Sequence, residues 1–238
     1  MDILPYLFDI ALFAATVFWV GRKPTFPKVT VMTLLIAVVE TGLDSVQLWL
    51  EGTNMIDWYR QSMQASVDAY SQVLDSSAVS QLSSAADTVV GCLPSIMVMD
   101  GFMKVSMALC VVWIVNKLFK RPMDWSPFSK IDLPVWTVVP VIAGALLIAV
   151  SNVPGAPYSN IVFLAALNCL VVGVLFFVTQ GGAAIKGLMN NVGLPAIAQL
   201  AIVAVLVMSG VATLVVPLVG LIDYWANFRK LPREALPE

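Results

Sequence analysis

Apolar runs of about 20 residues recur along this chain, and that is the length a helix needs to cross a bilayer core. They fall at residues 3–20, 29–50, 89–119, 133–150 and 160–180, with more apolar sequence from 188 to 228. Lipid offers no partner to backbone polar groups, so only helices or a closed barrel can cross it. A barrel would show alternating strands of about 10 residues. The runs here are continuous. Charged residues make up only 12% of the chain, against about 25% in a soluble domain. The fold class that follows is all-α: a polytopic helical membrane protein. It has six or seven transmembrane helices and one long polar, amphipathic outer segment.

That segment, residues 51–88, divides the chain. Residues 1–50 hold the first two spans, and 89–238 hold the remaining bundle with a short basic C-terminal tail. The order of basic groups sets direction. Arg22 and Lys23 follow the first apolar run, where a signal peptide would have them before it. By the positive-inside rule that end is cytoplasmic. The second span then runs outward and leaves the acidic segment outside. Met55, Tyr59, Met63, Val67, Tyr70 and Leu74 recur at spacings of three and four, which predicts one apolar stripe on a helix. Residues 71–84, rich in serine, read as a looser connection. The run 89–119 reads as one helix with Pro94 near its start. It ends on Lys117, Lys120 and Arg121, on the inner side.

The fifth span reads from 160 to 180 and stops at Gly181-Gly182. Beyond it two readings stand. One span from 195 to 224 would put Arg229, Lys230 and Arg233 outside, against the charge rule. Two short spans turning near Ser209-Gly210 would put them inside.

Ionisable groups inside spans are costly, so each is a candidate site. Glu40 lies mid-span, and Asp44, Gln47 and Glu51 share its helix face. Asp100 and Lys104 are four residues apart in the third span. Counted inward from the outer ends, Glu40 and Asp100 lie at similar depth, with Lys104 about one turn deeper. Contact between Lys104 and either acid would offset the charge. Glu40, Asp44, Asp100 and Lys104 are therefore the candidate ligand-binding set. The competing reading is an ion pair that sets packing. Asp9 in the first span has no obvious partner. Asn168, Gln180 and Gln199 read as interhelical hydrogen-bonding glue. Candidate partner-docking residues are Tyr59, Met63 and Tyr70 on the outer stripe, and Asp223, Trp225 and Arg229 at the inner end. That inner end also reads as interfacial anchoring.

Other chemistry is poorly served. The chain has no histidine, which removes histidine-based triads and metal sites. Cys92, Cys110 and Cys169 are scattered in apolar context and form neither a disulfide framework nor a zinc motif. No phosphate loop and no basic, aromatic nucleic-acid surface is present. No catalytic residue, metal or cofactor is expected.

Several short patterns point in one direction. They include Leu93-Pro94 opening a long span, the 117–121 end Lys-Leu-Phe-Lys-Arg, Pro127-Phe128 and Leu133-Pro134. Asn168 and Gln180-Gly181 add to them, and the most specific is Gly220-Leu221-Ile222-Asp223-Tyr224-Trp225-Ala226-Asn227-Phe228-Arg229-Lys230. Together these resemble the YybS-like family of predicted bacterial multi-pass membrane proteins. The resemblance implies a bacterial cytoplasmic membrane. Longer members carry further N-terminal spans, distantly similar to the substrate-binding S components of energy-coupling-factor vitamin transporters. This chain starts about where that region ends, so no binding residues carry over.

The functional expectation is a non-enzymatic component linked to small-solute transport. The alternative is a scaffold or accessory subunit of a membrane complex. Expected partners are the lipid bilayer, a membrane protein or energising subunit, and a small polar solute. Nucleic acid is not among them.

Overall fold

A computed structural model describes residues 4–71, 73–123, 125–155, 158–208, 210 and 212–231. Helix makes up 81% of it, and no strand occurs among the described residues. The elements are α1 (Leu4–Trp19), α2 (Phe26–Leu50), α3 (Met55–Tyr70), α4 (Ser76–Gly91) and α5 (Leu93–Leu118). They continue with α6 (Val139–Ser151), α7 (Ser159–Asn191), α8 (Ala196–Met208) and α9 (Ala212–Ala226). Short 3-10 turns stand at Phe128–Lys130 and Val135–Val138. Among the described residues three helices, α2, α5 and α7, are long and apolar enough to cross a membrane. Four shorter apolar helices accompany them, at Leu7–Trp19, Val135–Ser151, Ala196–Leu206 and Ala212–Ala226. The all-helical class agrees with expectation, whereas three helices, not the expected six or seven, are long and apolar enough to span among the described residues.

The chain forms two compact units. The first contains residues 1–124 and 147–168, the second 125–146 and 169–238. In the first, α5 packs along α2 and α1. Its apolar core is Val20, Met32, Ile36 and Val105, with Leu12, Val29 and Leu109 against it. Gly101 lets the helices close: a Cβ there would lie 2.7 Å from the Thr33 carbonyl oxygen. Proline opens both long helices at a position where no N–H is needed. The contact between them sits one turn from the charged residues described below.

The segment 51–88 is more ordered than its composition suggests. Asn54 caps α3 by accepting from the Asp57 N–H at 2.8 Å. Asp75 caps α4 by accepting from the Ala78 N–H at 2.8 Å and from the Ser77 hydroxyl. Those donors hold its carboxyl below the usual range. The caps start two 16-residue helices that pack as a hairpin. Much of the serine-rich stretch read as a loose connection is therefore α4. Gln72 lies outside the described residues.

The run 89–119 is not one helix, because α4 ends at Gly91 and α5 begins at Leu93. Asn168 of α7 mends the break. Its Nδ2 donates to the Gly91 carbonyl at 2.9 Å, and its Oδ1 accepts from the Ser95 N–H at 2.9 Å. In a continuous helix those two backbone groups would bond to each other. The glue reading of Asn168 thus has a specific form.

In the second unit α7 runs through Gly181-Gly182 to Asn191. The pair does not end the helix. Instead Gly181 and Gly220 let α9 cross α7 almost backbone to backbone. A Cβ on Gly181 would lie 1.8 Å from the Val216 carbonyl oxygen, and one on Gly220 2.1 Å from that of Phe177. The single helix 195–224 is likewise not seen. Gly210, at φ +67, separates α8 from α9. Ser209 of the predicted turn lies outside the described residues, as do Ala156, Pro157 and Arg233.

Candidate functional site

Two charged clusters form, one in each unit. In the first unit the Lys104 ammonium lies 2.6 Å from Glu40 Oε2 and 2.9 Å from Asp100 Oδ2. Helical spacing places Asp100 and Lys104 on one face of α5. The Gly101–Thr33 contact brings that face to α2, where Glu40 projects. Asp9 of α1 is near enough for its charge to act on Glu40. Two carboxylates thus hold one ammonium, with a third acid further off beyond Glu40. Glu40 is the most covered, at 17% side-chain exposure, whereas Lys104 and Asp100 are 45% and 54% exposed. The cluster opens on the unit's surface near the middle of two helices that can span a membrane.

Asp44, one turn further along α2, is exposed. It lines a groove of about 350 Å³ with Gln47, Leu48, Glu51, Met55, Trp58 and Tyr59. The four candidate ligand residues therefore divide. Glu40, Asp100 and Lys104 meet directly, and Asp44 continues the acidic stripe into the groove against α3. Asp9, the ionisable group of the first span for which the sequence offered no partner, lies on the Glu40 side of the cluster. The sequence marks it as an acid inside a span, but only the packing of α1 against α2 and α5 says what it lies near.

On α3, Tyr59 and Met63 are half-buried, and Val67, on the same stripe, is buried. The stripe is spent largely on packing within the unit. Tyr70, at the hairpin tip, is 60% exposed.

The second cluster is closed. Asp223, in the last turn of α9, is fully buried, as is Gln180 of α7. Arg229 places both Nε and Nη2 on Asp223 Oδ2, at 3.1 and 2.7 Å. Its Nη1 donates to the carbonyls of Ser129 and Ile131, at 2.8 and 2.7 Å. Gln180 Nε2 donates to Asp223 and Asp132, both at 2.9 Å, and its Oε1 accepts from the Leu133 N–H at 3.1 Å. The chain reaches this arrangement by turning sharply after α9. Asn227, at φ 45, ends the helix and exchanges two hydrogen bonds with Leu231. Asparagine is one of few residues that tolerate that backbone region. Asp223 and Arg229 thus engage each other and segment 129–132 of their own unit. Trp225 remains exposed.

A third contact ties α8 to α7. Lys186 donates to Gln199, whose amide donates to Asn190 and to the Leu194 carbonyl. Among the described residues no group of three or more His, Cys, Asp or Glu is arranged to hold a metal ion. Burial pushes the Cys92 thiol up, away from the reactive thiolate.

A family model described as "Predicted membrane protein (DUF2232)" matches residues 22–224. No curated protein and no solved structure matches the chain. The matched stretch includes Glu40, Asp100, Lys104, Gln180 and Asp223, and excludes Asp9 and Arg229.

Proposed function

We propose that this chain, which belongs to the DUF2232 family of predicted membrane proteins, is a non-enzymatic subunit of a complex in the bacterial cytoplasmic membrane. YybS-like membership is part of that reading. One observation carries it: a cluster with more acid than base opens on the surface of spanning helices. Charge facing lipid is costly wherever it occurs, and such groups turn toward protein or water instead. A neighbouring protein covers this face in the proposed arrangement. We take the four shorter apolar helices as further crossings or partial crossings, which gives up to seven.

The link to solute transport is the second reading, supported by the acidic stripe. Glu40, Asp44 and Glu51 lead from the cluster to the groove at the start of α3. A cationic or polar solute entering from outside would meet that stripe first.

Size in mild detergent tests the subunit reading. Tagged chain solubilised from its own membranes should migrate as an assembly larger than the monomer. Migration as a monomer in several mild detergents would refute the reading. Uptake tests the solute reading. Asp44→Asn should reduce uptake of a cationic solute while assembly size stays unchanged, and unchanged uptake across a solute panel would remove it.

A further inference from the structure

Resting on the subunit reading, we propose that the α1–α2–α5 face docks a transmembrane helix of a partner that carries lysine or arginine at mid-membrane depth. Charge complementarity selects that occupant. Glu40 and Asp100 set two negative charges against the single positive charge of Lys104, and Asp9 of α1 adds a further acid on the Glu40 side. Glu40 lies about 3 Å, and Lys104 about 2 Å, from the midpoints of their helices. A basic group at that depth has little else to bind. Lipid would leave the acid excess uncompensated.

A second copy of the chain fits badly, because it would bring the same excess to its own face. A bare metal ion also fits badly, since the acids do not converge as ligands. The rest of the face suits a helix. Asp100, Met103 and Met107 recur at i, i+3 and i+7 along α5, and all three are exposed. That spacing is one helix face. Methionines offer adaptable packing on which another helix can settle. The ion pair at Lys104 then has a definite role: it offsets part of the acid charge while the partner is absent.

The test uses the full chain in liposomes with labelled leucine-rich helices of about 20 residues. The central residue of the probe is lysine, arginine, leucine or glutamate, and association is read by energy transfer. Basic probes should bind about three- to tenfold more tightly than the leucine probe. Asp100→Asn with Asp9→Asn should remove that preference. This pair of changes leaves the Lys104–Glu40 contact intact, so the chain should still fold. Lys104→Gln should strengthen binding of basic probes, which a purely structural ion pair would not do.

Equal binding of lysine and leucine probes would overturn the proposal. So would displacement of the lysine probe by free butylammonium at comparable concentration, which would mark a small-cation site. Unchanged assembly in native membranes by the Asp9→Asn, Asp100→Asn chain would also overturn it, yet leave the subunit reading standing. Absence of any wild-type assembly would remove the subunit reading itself.

Discussion

Arg229 is the side chain on which the second unit's polar interior depends. Its guanidinium spends three nitrogens on four contacts: Nε and Nη2 on Asp223, and Nη1 on two backbone carbonyls. Its side chain is 2% exposed, and that of Asp223 is fully buried. Removing one member of such a pair leaves a buried charge without its counter-ion, which costs about 3–5 kcal/mol. Arg229→Gln should therefore destabilise the chain by that order, read as unfolding in detergent. The double change Arg229→Gln with Asp223→Asn should cost less than the two single changes added together. Arg229→Lys should recover only part of the loss, because an ammonium cannot reproduce the planar fork. Wild-type stability in Arg229→Gln would show that the contacts contribute nothing.

At the scale of helices, the network exists because α7 and α9 approach at two glycines. Gly181→Ala would drive a methyl group into the Val216 carbonyl, a backbone atom that cannot swing aside. The crossing would have to open, and Gln180 and Asp223 would move apart. Gly182→Ala is the matched control. Its Cβ would sit 3.4 Å from the Phe128 ring, in ordinary contact. Thermal melting should fall clearly for the first variant and hardly for the second. Equal melting would mean the crossing is loose. These elements also show what a sequence can and cannot reveal. Glu40, Asp100 and Lys104 are legible because helix periodicity fixes their faces and the alternation of span direction fixes their depth. The burial of Asp223 and Arg229 is not legible. It depends on Gln180 and Asp132, distant in sequence, and on a glycine crossing that looks like the end of a helix. The order in α4 was hidden by serine, whose low helix propensity is outweighed here by the Asp75 cap and by packing on α3.

For the whole molecule, the path of α8 and α9 decides where the chain finishes. Gln199, near the start of α8, bonds to Lys186 and Asn190 of α7. Arg229, just past α9, packs with its side-chain carbons on Gly187 of α7. The excursion through α8 and α9 therefore leaves from and returns to the same end of α7. With 13 and 15 residues these helices are about 20 and 22 Å long, against a core of about 30 Å. They can cross a thin region or dip in and return, and the result is the same: residues 190 and 230 share a side. Lys186, Arg229 and Lys230 then gather together, as the positive-inside rule favours. With Cys92, Cys110 and Cys169 replaced by serine, single cysteines at Asn191, Lys230 and Lys120 should resist a membrane-impermeant maleimide added to intact cells. One at Ser62, in the α3–α4 hairpin, should react. Breaking the cells should expose the three protected positions. Reaction of the Lys230 site in intact cells, with the Asn191 site protected, would mean that α8 and α9 make a single net crossing and that their return to α7 is wrong.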